Sequence, residues 1–279
     1  MASVRHLRHL DSYMPTLDLN GARIYYEDSG GPGAPVVFAH GLLWSCRLFD
    51  AQVKALQDRF RCVAFDFRGH GQSEVTASGY DFETLTADAI ELIEKLRLAP
   101  AHFVGLSMGG MIGMRLAARR PELVRSLALL ETSAGPEPEE NVPKYRRLNL
   151  VARWLGLSLV ADQVMPIMFG RKFLEDPARA AERQLWRARM VANHRKGVTR
   201  AVTGVITRRP VIDELARIRA PTLIMVGEQD VATVPAKAEQ IHQRIAGSKL
   251  VLIPGAGHTS PVEEPAFVNA QLSAFLASH

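Results

Sequence analysis

The sequence predicts an α/β fold: a mostly parallel sheet with helices on both faces and a helical cap inserted before the last strands. Three observations carry that reading. Short continuous apolar runs, Val36-Val37-Phe38-Ala39 and Leu223-Ile224-Met225-Val226 among them, read as strands buried on both faces. They alternate with stretches of helical periodicity, and a β-α-β-α order implies parallel strands. From Thr132 the alternation stops, and no strong strand pattern returns until Pro221.

Taken in order, residues 1–14 form a basic arm of no clear role. Residues 16–20 and 22–27 alternate around Asn20-Gly21 as a hairpin does, and would form the antiparallel edge of the sheet. A loop rich in Gly and Pro leads to the apolar run 35–40, which ends in His40-Gly41-Leu42-Leu43-Trp44; a glycine there lets the backbone turn its N–H groups into a site. Residues 46–59 read as a helix and 62–66 as the next strand. The loop Asp66-Phe67-Arg68-Gly69-His70-Gly71-Gln72-Ser73 follows, with Asp66 and Arg68 expected to brace it as an ion pair. Residues 82–98 are helical up to the segment before Pro100, 101–105 a buried strand, 111–120 a helix and 124–131 a strand.

Gly135-Pro136-Glu137-Pro138 then links to some eighty residues of helical pattern, basic on one side and apolar on the other. The expected organisation is a core of 15–133 and 219–279 with a cap of 134–218. In the second part of the core, 221–227 is a strand, 236–246 a helix, 249–253 a final strand and 264–278 the last helix.

Composition narrows the class. With 279 residues, 47% hydrophobic and 23% charged, the chain can bury a substantial core as one large α/β domain. No run approaches the roughly 18 apolar residues of a membrane span, and the first ten residues lack the apolar stretch of a secretory signal. The expectation is a cytoplasmic protein without stable membrane association. The formal net charge is +5, and about half of the 34 Lys and Arg lie between 134 and 219, spaced through helices with no run of basic residues and interleaved aromatics. That pattern reads as solvated helix faces rather than a nucleic-acid surface. Cys46 and Cys62 lie on different predicted elements, compatible with free thiols in a reducing compartment and not incompatible with a disulfide; no Cys/His cluster has zinc spacing, and no metal or cofactor is implied.

The chemistry centres on Gly105-Leu106-Ser107-Met108-Gly109. Placed between a strand and a helix, a G-x-S-x-G stretch makes a turn so tight that the serine is held exposed and strained. A serine hydroxyl is a poor nucleophile at neutral pH, so it needs a base within reach and a carboxylate to orient that base. Asp230 and His258 each follow a strand at its carboxyl end, and Ser107, Asp230, His258 is the chain order of a triad on such a sheet.

With His40-Gly41, the loop 66–73, Gly105-Leu106-Ser107-Met108-Gly109-Gly110, Gly227-Glu228-Gln229-Asp230 and Gly255-Ala256-Gly257-His258, the chain resembles the α/β-hydrolase superfamily. More narrowly it resembles the branch of bacterial carboxylesterases, 3-oxoadipate enol-lactonases and cofactor-free haloperoxidases. The resemblance implies Ser107 as nucleophile, His258 as base and then acid, Asp230 as orienting carboxylate, and the backbone N–H groups of Leu42 and Met108 as oxyanion hole. Glu131, at the end of the strand after the nucleophile helix, is the alternative triad acid, because some relatives carry the acid there. Leu42-Leu43-Trp44 stands where haloperoxidases commonly have a proline, which weighs against perhydrolysis. Serine at 107 weighs against epoxide hydrolases and haloalkane dehalogenases.

The expected activity is therefore cleavage of a small-molecule carboxylic ester through an acyl-enzyme, with lactonase, C–C hydrolase and perhydrolase as rivals and a ligand-binding receptor of the same fold as the non-enzyme alternative. Trp44, Trp154, Met165, Met168, Phe169 and Trp186 are the expected pocket residues, since ligand pockets lie beyond the carboxyl ends of parallel strands where the insertion emerges. The other histidines read as structural: His40 as a brace for the oxyanion loop and His194 as a solvated cap residue. Oligomeric state is not written in the sequence.

Overall fold

The computed structural model describes residues 15–279; the arm expected at 1–14 lies outside the described residues. Strands β1 (Thr16–Leu19) and β2 (Ala22–Asp28) form the hairpin, with Asn20 at φ 45° and Gly21 at φ 73° in the tight turn that suits strand twist. The sheet continues with β3 (Pro35–Ala39), β4 (Arg61–Phe65), β5 (Ala101–Leu106), β6 (Val124–Leu130), β7 (Thr222–Gly227) and β8 (Lys249–Ile253), in the spatial order β1-β2-β4-β3-β5-β6-β7-β8. β1–β2 and β2–β4 pair antiparallel, and every other pairing is parallel.

The strand order accounts for the apolar runs. Val36 and Phe38 of β3 feed one core layer, Val37 and Ala39 the other; Leu223 and Met225 of β7 divide from Ile224 and Val226 in the same way. Alternate side chains leave opposite faces of a strand, so a strand covered on both sides must be apolar throughout.

The covering helices of the core are α1 (Asp50–Leu56), α2 (Phe82–Lys95) and α3 (Met108–Arg119), joined later by α9 (Pro235–His242), α10 (Ser260–Glu263) and α11 (Pro265–Ala277). Between β6 and β7 lie α4 (Val142–Leu155), α5 (Ser158–Met168), α6 (Arg171–Glu175), α7 (Ala180–Ala192) and α8 (Arg195–Ile206). Their apolar faces, with Leu148, Val160, Met168, Trp186 and Val198, merge with one core layer of the sheet. No helix among the described residues is long and apolar enough to cross a membrane.

Several local expectations need correction. The helix expected over 46–59 is a 3-10 turn at Cys46–Phe49 followed by α1, which ends at Leu56. α3 begins at Met108 rather than Met111, because Gly109 and Gly110 are helical and serve close packing: a Cβ on Gly109 would lie 2.0 Å from the Ala39 carbonyl oxygen. α9 stops at His242, four residues early, and the short α10 after His258 has no counterpart among the expected elements. Asp66 and Arg68 do not pair with each other. Arg68 forms a buried bidentate pair with Asp88 of α2 at 2.7 and 2.8 Å, while Asp66 accepts the backbone N–H groups of Cys46 and Gln72, both at 2.7 Å. The two side chains reach opposite surroundings, Arg68 toward α2 and Asp66 toward the backbone of its own and the preceding loop. Cys46 and Cys62 are buried free thiols.

Candidate active site

β3 and β5 are neighbours, with Ala39 beside Gly105 in register, but the chain leaves β3 for β4 on one side and returns to β5 on the other. The loops after the two strands therefore diverge and open a crevice at their carboxyl ends. Ser107 stands there, between β5 and α3, at φ 52° and ψ −110°. A non-glycine residue at positive φ costs about 1–3 kcal/mol and persists only where its surroundings impose it. Here the strand and helix tie it down: its N–H donates to Leu130 O at 2.9 Å, its carbonyl accepts from Thr132 Oγ1 at 2.7 Å, and Gly105 and Gly109 approach too closely to carry side chains.

The loop after β3 is held from the sheet side by His40. Its Nε2 accepts the Phe67 N–H at 3.1 Å, so the hydrogen of the neutral ring lies on Nδ1, which donates to Gly41 O at 2.7 Å. Burial, with His70 adding to it, holds His40 well below the usual imidazole range and so in that neutral form. In a trans peptide the N–H points opposite the C=O, so the bond to Gly41 O constrains the direction of the Leu42 N–H from the sheet side. Neither the Leu42 nor the Met108 N–H has an acceptor among the described residues, and the first N–H groups of a helix such as α3 have none within it. Gly41 lies against the nucleophile, since a Cβ there would be 3.3 Å from Ser107 Cβ.

Asp230, beyond β7, is buried and accepts from Ala232 N at 2.8 Å, Thr233 N at 3.0 Å and Thr233 Oγ1 at 2.8 Å. His258 Nδ1 lies 2.9 Å from Asp230 Oδ2. Burial works against the ionised carboxyl, but His258 and the Thr233 donors outweigh it and hold Asp230 below the usual carboxylate range. With Nδ1 engaged, Nε2 is the ring nitrogen left for exchange with substrate. The His258 loop is fixed in turn by Glu263, whose carboxylate accepts from the N–H groups of Gly170, Gly257 and Thr259 at 2.8–3.0 Å.

Glu131 is placed differently. It is fully buried at φ 40°, and neither carboxyl oxygen has a well-formed hydrogen bond among the described residues. Burial, and then the nearby Asp230 and Glu263 charges, push its pKa well above the usual carboxylate range. It makes no hydrogen bond to His258.

Ser107 and His258 open onto one cavity of about 140 Å³. Most of its apolar wall comes from three helices of the insertion, Leu148 and Ala152 of α4, Val160, Val164, Ile167 and Met168 of α5, Val198, Val202, Val205 and Ile206 of α8, and Leu42, Leu43 and Met111 of the core close it on the other side. Among the described residues no Lys or Arg lines it. Its one carboxylate, Glu137, is paired at 2.7 Å with Arg208, and both are buried.

Of the expected pocket residues only Met168 lines this cavity. Trp154 is 67% exposed, Met165 turns from the α5 stripe into the core, and Trp44, Trp186 and Phe169 pack on one another at centroid distances of 5.3 and 5.7 Å behind the loop after β3. The signal that would have found the wall was the i, i+4, i+7, i+8 spacing of aliphatic side chains in α5 and α8. His194 is exposed, and His102 is a strand residue bonded to Ser126 Oγ at 2.8 Å. Among the described residues no group of three or more His, Cys, Asp or Glu is placed to hold a metal ion.

Comparison with known proteins places the fold. The enol-lactonase of Burkholderia xenovorans LB400 superposes with a TM-score of 0.88 at 30% identity, over 94% of this chain and 100% of that one. A thermophilic esterase from Thermogutta terrifontis gives 0.87 at 28% identity, over 95% and 98%. 3-Oxoadipate enol-lactonase 2 of Acinetobacter baylyi is 27% identical over 95% of this chain and 97% of its own length. Residues 36–271 match the model of the alpha/beta hydrolase family, and the chain belongs to that family of hydrolases.

Proposed function

We propose that the protein is a serine hydrolase that cleaves neutral carboxylic esters with a short to medium aliphatic acyl group. The observation that carries the reading is the meeting of Ser107 and the Asp230-paired His258 on one largely apolar cavity. In this reading His258 Nε2 takes the Ser107 hydroxyl proton as Oγ attacks the ester carbonyl. The tetrahedral oxyanion is met by the N–H groups of Leu42 and Met108, and such donors are worth about 3–4 kcal/mol each in the transition state. Collapse expels the alcohol, which takes the proton from His258. Water, deprotonated by the same nitrogen, then releases the acid and restores Ser107. Ionised Asp230 keeps the ring in the right tautomer and stabilises the imidazolium.

The cavity wall separates the ester reading from the enol-lactonase names among the relatives. A lactone derived from 3-oxoadipate keeps a free carboxylate, and here that charge would lose its water with no Lys or Arg on the wall and with Arg208 already committed to Glu137. A neutral lactone meets no such penalty and is the second reading. A panel of nitrophenyl esters from acetyl to palmitoyl, run beside neutral and carboxylate-bearing lactones, tests both. The expected order places butyryl and hexanoyl esters first and the charged lactone last. Preference for the charged lactone, weakening with added salt, would overturn it.

A further inference from the structure

The sheet side fixes only one end of the loop that carries the Leu42 N–H. His40 holds Gly41 O, and the Trp44 N–H closes a turn onto the same oxygen at 3.3 Å. Inside that turn, as its third residue, Leu43 sits at φ 72°, a left-handed conformation that a leucine rarely adopts and that a single 3.3 Å bond closes only loosely. Further support comes from the helical insertion. Asn193, the residue that ends α7, donates through Nδ2 to Leu43 O at 2.7 Å. The same amide is anchored to its own helix through Arg189 O and Met190 O, both at 3.2 Å. One turn or two earlier on α7, Trp186 meets the Trp44 ring edge-on at 5.3 Å, and the Arg189 guanidinium lies over the Trp186 ring at 4.6 Å.

We propose that Asn193 is a positioning residue for the oxyanion hole: its hydrogen bond holds Leu43 in the left-handed conformation that aims the preceding Leu42 N–H into the site. Without that bond the Leu43 carbonyl loses its partner and the residue is free to relax to negative φ. Relaxation rotates the peptide between Leu42 and Leu43, and with it the backbone of Leu42. The insertion then does more than enclose substrate, since it completes the catalytic geometry from a position 150 residues away in sequence. The inference rests on reading the Leu42 N–H as an oxyanion donor.

Asn193→Asp is the informative variant, because it keeps the shape and removes the donor. With p-nitrophenyl butyrate, kcat should fall on the order of 10- to 100-fold, since loss of a whole oxyanion donor costs about 10²–10³, while KM stays within about twofold. Affinity for a trifluoromethyl ketone, which forms a tetrahedral oxyanion on the serine, should fall with kcat, and affinity for the product acid should not. The deficit relative to wild type should shrink on acidification, because the carboxyl that Asn193→Asp introduces can donate again once it is protonated. Should Asn193→Asp not fold, Asn193→Ser, too short to reach Leu43 O, should show the same loss in kcat and in ketone affinity. Retained kcat, an equal loss of ketone and product affinity, or a pH-independent deficit would each overturn the role of Asn193. Failure of a fluorophosphonate to label Ser107 in the wild type would instead overturn the underlying hydrolase reading.

Discussion

The strand ends of the sheet and the helices inserted before β7 build the site by different rules. At the strand ends each group is set by backbone and a few hydrogen bonds: Ser107 by a strained turn, the Leu42 N–H by a peptide held at Gly41 O and, through Leu43, by Asn193, His258 by an acceptor and a braced loop. The side-chain positions among them, Ser107 and His258, admit one residue type each for the proposed chemistry. In the insertion the cavity is set by volume, with stripes of Val, Ile, Leu and Ala on α4, α5 and α8. Any aliphatic residue of similar size serves there. The difference teaches that reactivity is concentrated in few atoms and selectivity is spread over many.

The largest effects should therefore come from the strand ends. Ser107→Ala should lower kcat/KM for butyryl esters by on the order of 10⁴-fold or more with the melting temperature unchanged, as measured by steady-state kinetics beside thermal unfolding. Asp230→Asn should cost on the order of 10⁴ in kcat, because it loses both the tautomer and the charge that stabilises the imidazolium. Glu131→Gln should change kcat by less than about tenfold, since Glu131 makes no hydrogen bond to His258. Reversal of the last two would move the triad acid to Glu131.

This contrast also explains what could be read in the sequence. That Ser107, Asp230 and His258 would meet was legible because each follows a strand at its carboxyl end, where a parallel sheet gathers its loops. Both core layers were legible because doubly covered strands are apolar throughout. The cavity wall was not, because aromatic and sulfur side chains attract attention while the work is shared among ordinary aliphatics. Trp44 and Trp186 turned out to pack behind the loop after β3, and Trp154 faces solvent. Arg68 paired with Asp88, twenty residues on, a partnership that depends on how α2 packs and leaves no local mark.

Smaller effects should come from the insertion. Ala152→Phe fills the cavity at α4, so kcat/KM for hexanoyl esters should fall about tenfold relative to acetyl esters, a change that selectivity by volume can supply. Trp154→Ala, at an exposed site, should leave kcat/KM within about twofold. Both are checked by the same ester series, and a large effect at Trp154 would erase the distinction between wall and surface.

Stability should depend on pH through groups in the sheet domain. Burial lowers His70 and His102 to about 4 and His40 well below 6.5, while the unfolded chain takes up these protons near 6.5. Their neutral forms thus contribute stability that is present above pH 6.5 and lost as pH falls toward 4, and the melting temperature should decline across that window. Glu131 has the opposite sign. Its folded pKa is raised by burial, so its contribution is present below about 4.5 and is lost as pH rises toward that folded value. Glu131→Gln should accordingly raise the melting temperature more at pH 8 than at pH 4.5. A flat response from pH 4 to 6.5, or an equal shift at both values, would contradict these assignments.

The claim that Ser107 is the reacting atom's carrier is tested most directly by active-site titration with a fluorophosphonate, followed by peptide mapping and assay of hexanoyl ester turnover. The account predicts one label per chain, on Ser107, with turnover falling in proportion to labelling. Full turnover by fully labelled protein, or a label on another serine with Ser107 unmodified, would contradict it.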